Sequence, residues 1–261
     1  MKILLTNDDG INSPGLRALV LELSKIAELF VLAPDRQRSL VSHSLTLNKP
    51  LKVTERRGLF EKNISAFELN GMPADCVKVG IRELMDTKPD LVIAGINEEP
   101  NLGTDVVYSG TVSAAREAVL EGIPSIAVSI SNKQPNTDFS YAAGFIREFI
   151  GFLKENYWQK EMLLNVNIPN KKNKFTLNEF RITKLGERKY IKLLEKKNDE
   201  NGEEYYLMSG ELVDEEKNDQ DADVCCVLEG KVSVTPLQYD YTHHEEIAEM
   251  KEKLLKVRSK K

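Results

Sequence analysis

The chain has 261 residues, 41% apolar and 30% charged, with 36 basic side chains against 41 acidic ones and a net charge of −5. That length suits a single α/β domain with an appendage, and the near balance of charge excludes the broad basic face that holds a nucleic-acid duplex. Cys76, Cys225 and Cys226 form no disulfide framework, and no stretch approaches the roughly 18 apolar residues of a membrane span, so a cytoplasmic protein without a membrane segment is expected.

The apolar start, Met1 to Leu5, is cut off by Asp8 and Asp9, too early for a signal peptide. Lys2 to Thr6 reads instead as a buried strand. Ser13-Pro14 supplies an N-cap and a first-turn proline, and Leu16, Leu19, Val20 and Leu23 follow at helical spacing. Leu29 to Ala33 is a second strand, followed by a less regular stretch. Pro73 opens a helix carrying Val77, Ile81 and Leu84, and Leu91 to Ile96 is the next strand. Thr111 to Leu120 reads as a helix, Ser125 to Ile130 as a strand, the segment around Phe145, Ile146, Phe149 and Leu153 as a helix, and Leu163 to Ile168 as a strand. Such strand–helix alternation predicts an α/β fold with a mostly parallel sheet between two helical layers.

Beyond about residue 170 the pattern changes. Phe180 to Leu194 and Glu203 to Leu212 flank Asn201-Gly202, a hairpin signal that predicts an extended β-hairpin arm over about 180–215. Lys231 to Pro236 returns as a strand. The expected organisation is a core of about 1–170 and 220–240, the arm, and a C-terminal helical tail of about 243–261. In the tail Ile247, Met250, Leu254 and Val257 form one apolar stripe, which must be buried against something and predicts at least a homodimer.

In open α/β sheets ligands bind beyond the carboxyl ends of the strands. The first strand ends Asn7-Asp8-Asp9-Gly10; adjacent carboxylates repel unless a cation compensates, although a solvated turn with one Asp capping the helix would look the same. The second ends Pro34-Asp35-Arg36-Gln37-Arg38-Ser39, which equally suits a surface turn, and the third ends Gly95-Ile96-Asn97. Tyr108-Ser109-Gly110-Thr111 opens a helix whose free N–H groups suit a phosphate, or is an ordinary Ser or Thr cap. Oxygen donors of this kind favour Mg²⁺ or Mn²⁺ over zinc. The dinucleotide and Walker glycine motifs are absent. The Asp219, Asp221, Asp223 series has Val224 and Gly230 where a calcium loop needs glycine and glutamate. His43 suits a structural role or support of a ligand better than ligation.

Taken together, TNDDGINSPG (6–15), APDRQRS (33–39), HSLTL (43–47), PADCV (73–77), GIN (95–97), NLGTDVVYSGTVSAAREA (101–118), GIPSIAVS (122–129), NVNIP (165–169) and VSVTPL (232–237) resemble the SurE survival-protein family of metal-dependent 5′/3′-nucleotidases. The resemblance implies a Rossmann-like three-layer core with an extended hairpin and a swapped C-terminal segment, assembled as a homodimer or homotetramer. It implies one divalent cation per subunit on Asp8, Asp9, Ser39 and Asn97. Asn7, Ser109 and Thr111 would lie against the phosphate of a nucleoside monophosphate, with Asn101 and Gly110 completing the substrate contacts. Three residues depart from the family pattern: Leu40 and Glu99 replace glycines, and Met72 replaces a threonine. Glu99 is expected either to strain its turn or to set a carboxylate near the anionic substrate.

Overall fold

The computed structural model describes residues 1–131, 134–171, 177–213 and 215–258, without the side chains of Leu177, Glu216, Val257 and Arg258. In chain order come β1 (Lys2–Thr6), α1 (Pro14–Leu23), β2 (Glu28–Pro34), β3 (Val53–Glu55), β4 (Ser65–Leu69) and α2 (Pro73–Val79), which widens into a π-helical turn over Gly80–Leu84. They are followed by β5 (Leu91–Asn97), a 3₁₀ segment (Gly103–Tyr108), α3 (Gly110–Leu120), β6 (Ser125–Ser131), α4 (Ser140–Asn156) and β7 (Leu163–Pro169). The remainder comprises β8 (Phe180–Ile182), β9 (Lys189–Ile191), β10 (Leu194–Asn198), β11 (Glu204–Met208), β12 (Glu211–Val213), α5 (Asp223–Leu228), β13 (Val232–Pro236) and α6 (His244–Arg258).

Nine strands form one sheet in the order β3-β4-β2-β1-β5-β6-β7-β13-β8. The run from β4 to β7 is parallel, and β3 and β13 are antiparallel to β4 and β7. Successive β1 side chains point to opposite faces: Ile3 and Leu5 join α1 and α4 in one core, whereas Leu4 joins α2 and α3 in the other. Strands buried on both sides read as unbroken apolar runs, as in this sheet. The Ser13 hydroxyl accepts the Leu16 N–H at 3.3 Å to start α1, and Leu16, Leu19 and Leu23 are fully buried beneath it. Each such leucine contributes roughly 1.5–3 kcal/mol, so the two helical layers clamp the sheet rigidly.

Strand order reverses at β1: the chain runs outward through β2 and β4 on one side and through β5, β6 and β7 on the other. The carboxyl ends of β1 and β5 therefore flank a crevice, the position where such sheets bind ligands.

The arm is two short antiparallel pairs, β9 with β12 and β10 with β11, offset at Lys192, whose φ is +53°. Phe180 to Ile182, expected at the start of the arm, belongs to the sheet instead. There β8 pairs parallel with β13, because the Phe180 ring is held edge-on by Phe149 and Phe152 of α4, at centroid distances of 5.4 and 5.6 Å. In α6 the side chains of Ile247, Met250 and Leu254 are exposed on this single chain; Val257's side chain and residues 259–261, also assigned to the tail, lie outside the described residues. No helix among the described residues is long and apolar enough to cross a membrane.

Candidate active site

The crevice at the switch point opens into a cleft of about 1220 Å³. Asp8, Asp9, Ser39 and Asn97 all line it, as do Asn101 and Ser109. Three separate loops bring them there. The Asn7–Gly10 turn is built by Asn7, whose amide nitrogen donates to Gly10 O (3.0 Å) and Ser13 Oγ (2.6 Å) and whose oxygen accepts the Gly10 N–H (3.1 Å). The loop after β2 is pinned by the Arg38 N–H on Asp8 O at 2.7 Å, and the Arg38 guanidinium turns back to Asp35 and Asn70 O, both at 3.1 Å. At the end of β5 the Asn97 amide donates to Glu99 O at 2.6 Å, leaving Asn97 Oδ1 as the atom that could serve a cation.

Asp8 stands over the start of α3. Its carboxylate accepts the Thr111 hydroxyl and the Thr111 backbone N–H, and it is only 5% exposed. A Cβ on Gly110 would lie 2.8 Å from Asp8 Oδ2, so only glycine lets the helix start approach this closely. Burial pushes the Asp8 carboxyl above its ordinary range, the Thr111 hydrogen bonds pull the other way, and nearby Glu99 raises it further. A desolvated carboxylate beside Asp9, with Glu98 and Glu99 on the same cleft, is a local excess of negative charge that a cation would relieve.

The donor set fits a hard divalent ion: two carboxylates, a hydroxyl and an amide oxygen, all on one cleft. Among the described residues no three His, Cys, Asp or Glu side chains cluster as a metal site, so such an ion would depend on Ser39 and Asn97 as well as the two aspartates.

The expected phosphate contacts separate into two groups. Ser109 lines the cleft while its Oγ caps α3 by accepting the Val112 N–H at 3.0 Å. Asn7, Gly110 and Thr111 are buried and are not among the residues that line the cleft: Asn7 builds the Asn7–Gly10 turn, Gly110 packs against Asp8, and Thr111 donates its hydroxyl to the Asp8 carboxylate. Asn101 lines the cleft, but its side chain is committed to Ser129 Oγ at 2.7 Å. Its carbonyl accepts the amides of Asn165 (2.8 Å) and Asn167 (3.0 Å) on β7. The sequence comparison picked out those two asparagines in NVNIP without giving them a role; their signal was a pair of amides at i and i+2 on a strand otherwise apolar.

Sequence reasoning missed the far wall of the cleft. Arg188 and Tyr190 line it from the root of the arm, with Leu194 and Met208 further out. His43 is not among the residues that line the cleft; it bonds Glu117 at 2.8 Å and so anchors the loop that carries Ser39.

Fold and site together define a doubly wound α/β protein with an acidic, oxygen-rich cleft at its switch point. Residues 3–192 match the family described as Survival protein SurE. The chain is 47% identical to the 5′-nucleotidase SurE of Syntrophomonas wolfei over 94% of its length and 91% of that protein. It is 44% identical to the 5′-nucleotidase SurE of Pelotomaculum thermopropionicum over 98% and 96%. The crystal structure of the SurE protein from Aquifex aeolicus superposes with a TM-score of 0.80 at 37% identity, covering 97% of this chain and 99% of that one. The chain belongs to the SurE survival-protein family.

Proposed function

We propose that this protein is a metal-dependent phosphomonoesterase, a 5′-nucleotidase that hydrolyses nucleoside 5′-monophosphates and also accepts 3′-monophosphates. The observation that carries the reading is the convergence of Asp8, Asp9, Ser39 and Asn97 on one cleft with Ser109 at the start of α3. The relatives named 5′-nucleotidase SurE, similar over nearly the whole chain, support the reaction.

The four donors would hold one Mg²⁺ or Mn²⁺ ion, which when bound neutralises phosphate charge and lowers the pKa of a bound water. Asp8 and Asp9 supply the compensating charge, and Thr111 holds Asp8 in place. Ser109 and the neighbouring helix start offer hydroxyl and N–H donors to phosphate oxygens. Water replaces the nucleoside oxygen on phosphorus, and the nucleoside leaves as its alcohol. We place the protein in the cytoplasm, consistent with its free thiols. A homodimer or homotetramer is supported by the exposed side chains of Ile247, Met250 and Leu254 on α6 and of Leu194, Tyr206 and Met208 on the arm.

The test is phosphate release from a panel of nucleoside monophosphates after chelation, with and without added Mn²⁺ or Mg²⁺. Release only with the ion is expected. A second reading, a nucleotide- or metal-binding protein with weak turnover, draws on the Glu99 carboxylate in the cleft; nucleotide binding without phosphate release would favour it.

A further inference from the structure

On the cleft that Asp8 and Asp9 also line, the root of the arm is fastened to the segment that leads into Ser109. The Asp223 carboxylate, fully buried, accepts the N–H of Gly103 at 2.9 Å and that of Gly186 at 2.8 Å. Thr104 Oγ1 donates to Arg188 O at 3.1 Å and accepts the Arg188 N–H at 3.3 Å. Asp105 Oδ2 accepts Arg188 Nη1 at 2.6 Å and the Tyr190 hydroxyl at 2.5 Å. A Cβ on Gly103, whose φ is +51°, would lie 2.6 Å from Gly186 O, so the two backbones touch. Gly103–Tyr108 then runs directly into Ser109, which closes the 3₁₀ turn by donating its N–H to Val106 O at 3.3 Å. The arm root therefore holds a fixed offset from the phosphate side of the cleft.

What that root presents is chemically distinct from the opposite edge. Among the described residues Arg188 is the one cation lining a cleft otherwise furnished with Asp8, Asp9, Glu98, Glu99 and Asp105. Its guanidinium is oriented by Asp105 and by Glu215 at 3.0 Å, and it lies 5.9 Å from the centroid of the Tyr190 ring. An aromatic ring beside a guanidinium plane is the kind of surface on which nucleobases stack. At about 2 Å of rise per 3₁₀ residue, Asp105 stands roughly 8 Å from Ser109, a separation that a nucleoside can bridge and a phosphate alone cannot.

We infer that Tyr190 and Arg188 form the subsite for the nucleoside part of the substrate, with Asp105 as the positioning residue that sets both against the phosphate edge. The inference rests on the phosphomonoesterase reading above and names the part of the cleft that makes the enzyme a nucleotidase rather than a general phosphatase. The experiment compares kcat/KM for adenosine 5′-monophosphate and for p-nitrophenyl phosphate, which carries no nucleoside. It adds titration calorimetry of adenosine binding, which requires no turnover.

Tyr190→Leu is expected to lower the ratio of the two kcat/KM values about tenfold through KM, and to weaken adenosine binding by a similar factor. Tyr190→Phe, which keeps the ring, holds the ratio within about threefold of the wild-type value. Arg188→Gln, a second variant in case Tyr190→Leu fails to fold, lowers the ratio in the same direction. An unchanged ratio in the folded variants overturns the inference, as do equal losses on both substrates with unaltered adenosine binding. A wild-type protein that binds adenosine through Tyr190 yet releases phosphate from neither ester sinks the phosphomonoesterase reading and leaves the subsite standing.

Discussion

At the scale of single residues, the three departures from the family pattern have different consequences. Glu99 is not among the described residues with positive φ, so its replacement of a glycine strains no turn. Its effect is electrostatic: an exposed carboxylate lining the cleft beside Asp8. The strained backbone is at Leu40, which takes φ +54° with its side chain 81% exposed. A left-handed conformation costs a non-glycine residue roughly 1–2 kcal/mol, which accounts for the glycine the family pattern has there. Because an exposed charge is screened by solvent, Glu99→Gln is expected to raise kcat/KM for nucleoside monophosphates on the order of fivefold, mainly by lowering KM. Steady-state kinetics at fixed Mn²⁺ would check this, and an unchanged or lower kcat/KM would show the charge to be neutral or useful.

At the scale of elements, the N-cap of α2 is Met72, which offers no side-chain oxygen to the first-turn N–H groups; Asp75 in that turn accepts the Met72 N–H at 2.7 Å and the Thr46 N–H at 3.0 Å. Met72→Thr restores a capping oxygen and is expected to stabilise the protein by about 1 kcal/mol, a rise in Tm of about 2 °C by calorimetry. Glu117 on α3, with its side chain 3% exposed, binds both His43 and Lys78, the latter at 2.5 Å. Burial raises its carboxyl, but the His43 and Lys78 hydrogen bonds outweigh that and hold it below the ordinary glutamate value of 4.5. A depressed carboxyl stabilises the fold above its unfolded pKa and loses that contribution as pH falls through the folded value. Glu117→Gln should therefore cost roughly 1–3 kcal/mol near neutrality, with the variant and wild-type denaturation curves converging below pH 4.5. Curves that stay parallel across that range would contradict the assignment.

The long elements were legible because apolar runs and 3.6-residue spacing are local signals: β1, β2, β5, β6, β7 and the helices α1, α3 and α4 lie where periodicity put them. The short strands β3, at the sheet edge, and β4 beside it were not, since strands of three and five residues that are only partly buried carry too little alternation to stand out. Nor was α5, whose Asp223 looked like part of a failed calcium loop and proves to be a buried acceptor for three N–H groups, those of Gly103, Gly186 and Val224.

At the scale of the whole molecule, the sheet's switch point supplies one wall of the cleft and the arm supplies the other. The first wall was readable because Asp8, Asp9, Ser39 and Asn97 end or closely follow strands with a clear apolar pattern. The second was not, because the ties from Asp105 to Arg188 and from Gly103 to Asp223 span about 80 and 120 residues of sequence and depend on tertiary packing alone. The apolar side chains exposed on α6 and on the arm predict a particle of at least twice the chain mass by light scattering at micromolar concentration; a monomer would require another occupant for those surfaces. The central claim is that Asp8 and Asp9 hold the ion on which turnover depends. Its most direct test is Mn²⁺-dependent phosphate release from adenosine 5′-monophosphate by the wild type, Asp8→Asn and Asp9→Asn, with circular dichroism to verify folding. The account predicts a loss on the order of 100-fold or more in each folded variant, whereas wild-type rates in both would contradict it.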